Sequence, residues 1–166
     1  MKEGKIMTFF RNIITLTLIT LMAISGTGWA KVTDLPELEG WAGGPLFSQP
    51  LTAPSGNYGI WLKRSYVAQD RRNFDVILLS GTGSGDLYLP DAQIDTNDRP
   101  IGFGATYRTL SVEKHEALLE WYPHIGGALS VRLPEQTTLI VESKCLSEDE
   151  LMAIMKKIIT EVEKTL

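Results

Sequence analysis

The sequence predicts an α+β domain in which one C-terminal helix covers an antiparallel meander of about five or six strands. From Tyr58 to Lys144 the chain is a series of short runs rich in β-branched and aromatic residues, separated by turn residues. From Ser147 onward it changes to a single apolar stripe at helical spacing. At 166 residues, 43% hydrophobic and 22% charged, the composition suits one globular domain with room for an appendage.

The first segment reads as an address. Lys2, Lys5 and Arg11 face only Glu3, and the run Ile13 to Ile24 carries no charge. Small residues Gly28 and Ala30 follow, which is the order of a secretory signal peptide. Cleavage is expected after Ala30, and a start at Met7 would leave the leader intact. This uncharged run of twelve residues is too short to span a bilayer, which needs about 20 apolar residues. No cysteine sits near the cleavage position, which argues against a lipoprotein.

Residues 31–57 hold Pro36, Gly40, Gly43, Gly44, Pro45, Pro50, Pro54 and Gly56, and are expected to form an extended arm draped over the domain. Trp41, Leu46 and Phe47 are the side chains that could pin it. The α+β domain proper then runs over 58–166. Strands are expected at 58–69 and 74–80, joined by the polar turn Asp70 to Asn73 as a hairpin. After the glycine-rich loop 81–85 a short strand is expected at 86–89, then a loop over 90–104. Four more strands are expected at 105–112, 115–123, 127–134 and 137–144.

Ser147 with Glu150 three positions on forms a capping box, and Glu148, Asp149 and Glu150 suit the positive end of a helix dipole. Leu151, Ile154, Met155, Ile158, Ile159 and Val162 then trace one face. That stripe needs a sheet to cover.

Taken together, Gly40-Trp41, Tyr66, the run Gly127 to Leu133, the run Thr138 to Ser143 and the Ser147–Leu151 helix opening resemble a group of small exported bacterial domains. These domains, of unknown function, have a Mog1/PsbP-like α+β fold. The resemblance implies helix on sheet, export, and use as a binding scaffold. It implies no catalytic residue.

Composition removes several functions. Without residues 1–30, 13 Lys+Arg face 19 Asp+Glu, a net charge of −6 that argues against nucleic acid as a partner. The single Cys145 rules out an internal disulfide or a thiolate metal cage, and reads as a small buried hydrophobe rather than a nucleophile. The loop Gly81-Thr82-Gly83-Ser84-Gly85 is followed by Asp86, where a phosphate-binding loop needs Lys. Asp91, Asp95 and Asp98 lack the spacing of a calcium loop, and His115 and His124 lack that of a zinc motif, so no metal or cofactor is expected. Ser84, His115, His124 and Cys145 each stand without a partner at strand or helix spacing, and no catalysis is expected to depend on them.

Aromatic residues stand out. Trp41, Trp61, Tyr66, Tyr107 and Trp121 have the amphipathic rings that line ligand pockets and protein interfaces, and they could equally fill a core. The sequence thus points to an exported, non-enzymatic envelope domain that binds a partner protein or small ligand, with no membrane span after cleavage. The alternative is a small periplasmic hydrolase whose site is assembled from distant segments.

Overall fold

The computed structural model describes residues 32–96 and 104–165. The expected leader and its cleavage position lie outside them, as do Asp98 and Pro100 of the expected 90–104 loop. Val32–Leu166 forms one compact unit.

Within it are β1 (Ala42–Gly43), β2 (Phe47–Ala53), β3 (Gly56–Val67), β4 (Asn73–Ser80), β5 (Ile94–Thr96), β6 (Ala105–Val112), β7 (His115–Tyr122), β8 (Gly126–Leu133), β9 (Thr137–Ser143) and α1 (Glu148–Glu163). All pair antiparallel in one sheet of order β1-β3-β4-β9-β8-β7-β6-β5, with β2 also on β3. The helix-on-sheet architecture is as the sequence predicts, but the sheet has nine strands among the described residues rather than five or six. Nor is it a simple meander. The hairpin β3–β4 and the run β6 to β9 are separate meanders, joined where β9 pairs with β4.

Two of the extra strands lie in the arm. Pro50 is tolerated in β2 because that strand pairs on one side only, with β3. The arm is also more than draped: Val32, Leu35 and Leu38 belong to the core, where Trp41 and Leu46 pack against it. Phe47 instead lies on the surface, edge-on to Trp61 at 5.2 Å. Arg64 fastens the arm by donating to the carbonyls of Leu35 and Gly44, each at 2.9 Å, and by pairing with Glu37.

The short strand expected at 86–89 does not form. From Ser80, at the end of the interior strand β4, the chain must reach β5 at the far edge, so residues 81–93 cross the face of the sheet that carries Arg132 and Thr109 instead of extending it. Side chains hold this strap. Ser84 Oγ donates to Gln136 O at 2.8 Å, Arg132 to Leu87 O at 2.6 Å, and Thr109 to Pro90 O at 2.6 Å.

The helix begins as expected, with Ser147 and Glu150 forming the reciprocal capping box. Its stripe of Leu151, Ile154, Met155, Ile158, Ile159 and Val162 is buried against β6, β8 and β9. Leu129, Val131, Leu139 and Val141 of β8 and β9 share that core with Leu62, Phe74, Val76 and Leu78 of β3 and β4, where Trp41 of the arm packs edge-on against Phe74. Strand side chains alternate between faces, so the residues between these point to the other side, which no helix covers among the described residues.

Candidate functional site

Cross-strand register arranges that open face in rows. One is largely apolar: Phe47, Lys63, Ile77, Ile140, Ser130, Leu118 and Thr109 stand opposite one another in turn across β2, β3, β4, β9, β8, β7 and β6. The adjacent row is acidic: Ser65, Asp75, Glu142, Ala128, Glu120 and Tyr107. Three carboxylates from three strands meet here because each occupies the outward position of a strand whose alternate residues are core.

A hollow of about 460 Å³ lies in the acidic row. Asp75 and Glu142 form one wall, Glu120 and Tyr122 the other, and Gly126, Gly127 and Ala128 the floor, with Lys144 at the rim. The glycines are required by the turn and by packing. Gly126 has φ +112°, and a side chain at Gly127 would run into the Trp121 ring. Ala128 is therefore the floor position that leaves Glu120 and Glu142 a strand apart on each side.

Each carboxylate has a local contact. Lys63 Nζ sits 2.7 Å from Asp75 and 3.6 Å from Glu142, so it belongs mainly to Asp75. Its hydrogen bond to Asp75, opposed by partial burial, raises the Lys63 ammonium above its ordinary value. Burial pushes the Asp75 carboxyl upward, but the hydrogen bonds from Lys63 and Ser65 outweigh it and hold the group below its usual range. Tyr122 donates its hydroxyl to Glu120, which raises the phenol, and its oxygen lies 3.3 Å from that of Tyr107. Glu142 is left with the long contact to Lys63 and a side chain 45% exposed.

This arrangement suits ion pairing better than acid–base chemistry. Asp75 is held ionised, and the Tyr122 phenol is held protonated. Catalysis would need a donor and an acceptor tuned toward neutral pH at one reacting atom.

The five aromatic residues divide between the faces. Trp61 and Tyr107 lie on the open face, Tyr107 within the acidic row. Trp41, Tyr66 and Trp121 pack on the helix side. Tyr66 is fully buried, stacks on Phe74 at 5.0 Å and donates to Pro36 O at 2.7 Å; burial, partly offset by Arg64, pushes its phenol up to about 12.

Of the four residues expected to lack a partner at strand or helix spacing, His115 and Ser84 meet one from a distant segment, and the expected burial of Cys145 is corrected. His115 is 8% exposed and its Nε2 lies 3.0 Å from Glu163 Oε1, 48 positions away, which fastens the last turn of α1 to β7. Glu163 is held low, first by its hydrogen bond from Lys114 and further by His115. Cys145 is exposed rather than buried, because the chain turns outward after β9 and Leu146 takes the inward place. Its thiol bonds to the Asn73 backbone instead. His124 is exposed in the β7–β8 turn, and Ser84 is a strap anchor. Among the described residues no cluster of His, Cys, Asp and Glu could hold a metal ion, and no helix is long and apolar enough to cross a membrane.

Asp75, Glu120, Glu142 and Tyr122 are the site residues that sequence reasoning missed. The available signal was a carboxylate at the outward position of each of three otherwise apolar strands. No protein-family model, curated protein or solved structure matches this chain.

Proposed function

We propose that the protein is an exported envelope domain that binds a partner through the open face of its sheet and is not an enzyme. The observation that carries this reading is the open hollow in the acidic row, whose Asp75 and Glu120 are engaged by Lys63 and Tyr122 rather than aimed at a common reacting atom. Beside it, Trp61, Phe47, Ile77 and Ile140 offer the mixed aromatic and apolar surface typical of interfaces. Export is supported by the leader pattern in the sequence. The Mog1/PsbP-like likeness belongs to the same proposal and rests on the sequence features that carry it.

The test is site-specific photo-cross-linking in a bacterial host. A photoreactive phenylalanine analogue replaces Phe47, which is 51% exposed at the end of the apolar row, or as control Lys157, exposed on the outer side of α1. A discrete adduct from position 47 and none from 157 is expected, with the mature chain lacking residues 1–30 by mass. The hydrolase alternative prevails if purified protein turns over an ester, phosphate, peptide or glycoside substrate and Glu120→Gln or Glu142→Gln abolishes that turnover without unfolding the chain.

A further inference from the structure

Resting on the open-face reading, we propose the chemistry of the partner: a basic amphipathic helix that lays its apolar stripe on the Ile77–Ile140–Leu118 row and places an Arg or Lys side chain in the hollow between Glu142 and Glu120.

The periodicities match. Adjacent strands are about 4.8 Å apart, and a helix advances about 5.4 Å per turn, so successive turns of a helix crossing the strands fall over successive strands. From Lys63 on β3 to Leu118 on β7 the apolar row crosses four inter-strand gaps, about 19 Å, the length of about 13 helical residues. Apolar residues a turn apart therefore meet Ile77 and Ile140 on neighbouring strands. Positions flanking that stripe meet the acidic row. An extended peptide has no such match here, because the three-residue β5 is a short edge and Pro50 interrupts the ladder of β2.

Charge decides the sign of the partner. The acidic row carries Asp75, Glu142 and Glu120, while Lys63 in the next row is committed to Asp75 and Lys144 stands at the rim. Glu142, with its 3.6 Å contact, is the carboxylate an incoming cation can take without breaking a short pair. Ala128 leaves space above the floor for a long side chain, and Tyr122 keeps the Glu120 carboxylate fixed at the far wall. The net charge of −6 outside residues 1–30 attracts the same sign of partner at long range.

The full chain, isotope-labelled, is titrated with three synthetic amphipathic peptides: one with Lys flanking a Leu stripe, one with Glu in place of Lys, and one with Lys kept but Leu replaced by Ser. The Lys/Leu peptide is expected to move the backbone amides of Asp75, Ala128, Ile140 and Glu142, with the other two at least about tenfold weaker, a difference of about 1.4 kcal/mol. Ala128→Arg, which puts a guanidinium into the hollow from within, is expected to weaken that binding about tenfold or more. Salt at about 1 M, where the screening length is about 3 Å, is expected to do the same. Glu142→Gln is the second variant and carries the comparison if Ala128→Arg does not fold.

Equal binding of the Glu peptide at the same amides overturns the cationic partner and leaves the open-face reading standing. Concentration-dependent shifts of those amides without peptide make a second copy the occupant and likewise overturn it. Perturbation on the helix side only, or by no peptide, overturns both.

Discussion

On the helix side of the sheet Leu62, Val76, Val131, Leu139 and Val141 are fully buried, whereas Lys63, Ile77, Ser130 and Ile140, which alternate with them, stay partly exposed on the other. The first face closes over α1 and the arm, and its polar groups are tied inward, as Tyr66 is to Pro36 and His115 to Glu163. The second keeps ionised groups at the surface in a row that spans strands distant in sequence. Helix-side packing holds α1 and the arm, while the open side, crossed by the 81–93 strap at Arg132 and Thr109, keeps its acidic row at the surface.

The sharpest way to break that comparison is to truncate one isoleucine on each face. Ile158→Ala, on the buried stripe of α1 that faces the helix side of the sheet, is expected to cost about 2–5 kcal/mol, read from chemical denaturation. Ile140→Ala, only partly buried, is expected to cost less than about 2 kcal/mol, since water already reaches part of the side chain. Equal losses would mean that the open face is as much a core as the other.

A smaller effect comes from the Lys63–Asp75 pair. The Asp75 carboxyl is held below its ordinary 3.8, so its stabilisation is complete above that value and is lost as pH falls through the lower folded value. Lys63 is raised above 10.5, so its share is complete below 10.5 and is lost as pH climbs through the higher folded value. Both groups are about one-third exposed, so solvent limits the pair to about 0.2–1 kcal/mol. Asp75→Asn should flatten the melting-temperature profile at both ends. An unchanged profile would remove the pair from the account.

An effect of the same small size has the opposite sign. Ala128→Lys places an ammonium directly between the cross-strand neighbours Glu120 and Glu142 and should stabilise by about 0.2–1 kcal/mol, while the same substitution blocks the hollow. Destabilisation would show that the two acids do not face that position.

The same division explains what could be read in advance. The start of the helix and its buried face were legible, because its capping box and stripe are local patterns: all six stripe positions are buried. Strands β6 to β9 follow the expected runs within a residue or two, for the same reason. What failed is non-local. Nothing in 137–144 announces that this strand inserts beside β4, and that placement is what brings Asp75 to Glu142. Pro50 hid β2, because edge position, not sequence, makes proline tolerable in a strand. Leu87 and Leu89 alternate like a strand but serve a strap whose carbonyls are taken by Arg132 and Thr109. The aromatic residues were ambiguous because a ring suits a core and an interface equally, and only the sheet decides that Tyr107 faces outward and Tyr66 inward.

The central claim, that the acidic row of the open face recognises a partner while the helix side holds the fold, is tested most directly by cross-linking yield from a photoreactive residue at position 47 in a chain that also carries Glu142→Gln. Glu142 is 45% exposed and has only the long contact to Lys63, so its neutralisation should leave the melting temperature within about 2 °C, the shift expected for a surface substitution. The adduct should fall to a small fraction of that from the chain with Glu142 intact. An undiminished adduct at an unchanged melting temperature would contradict the account.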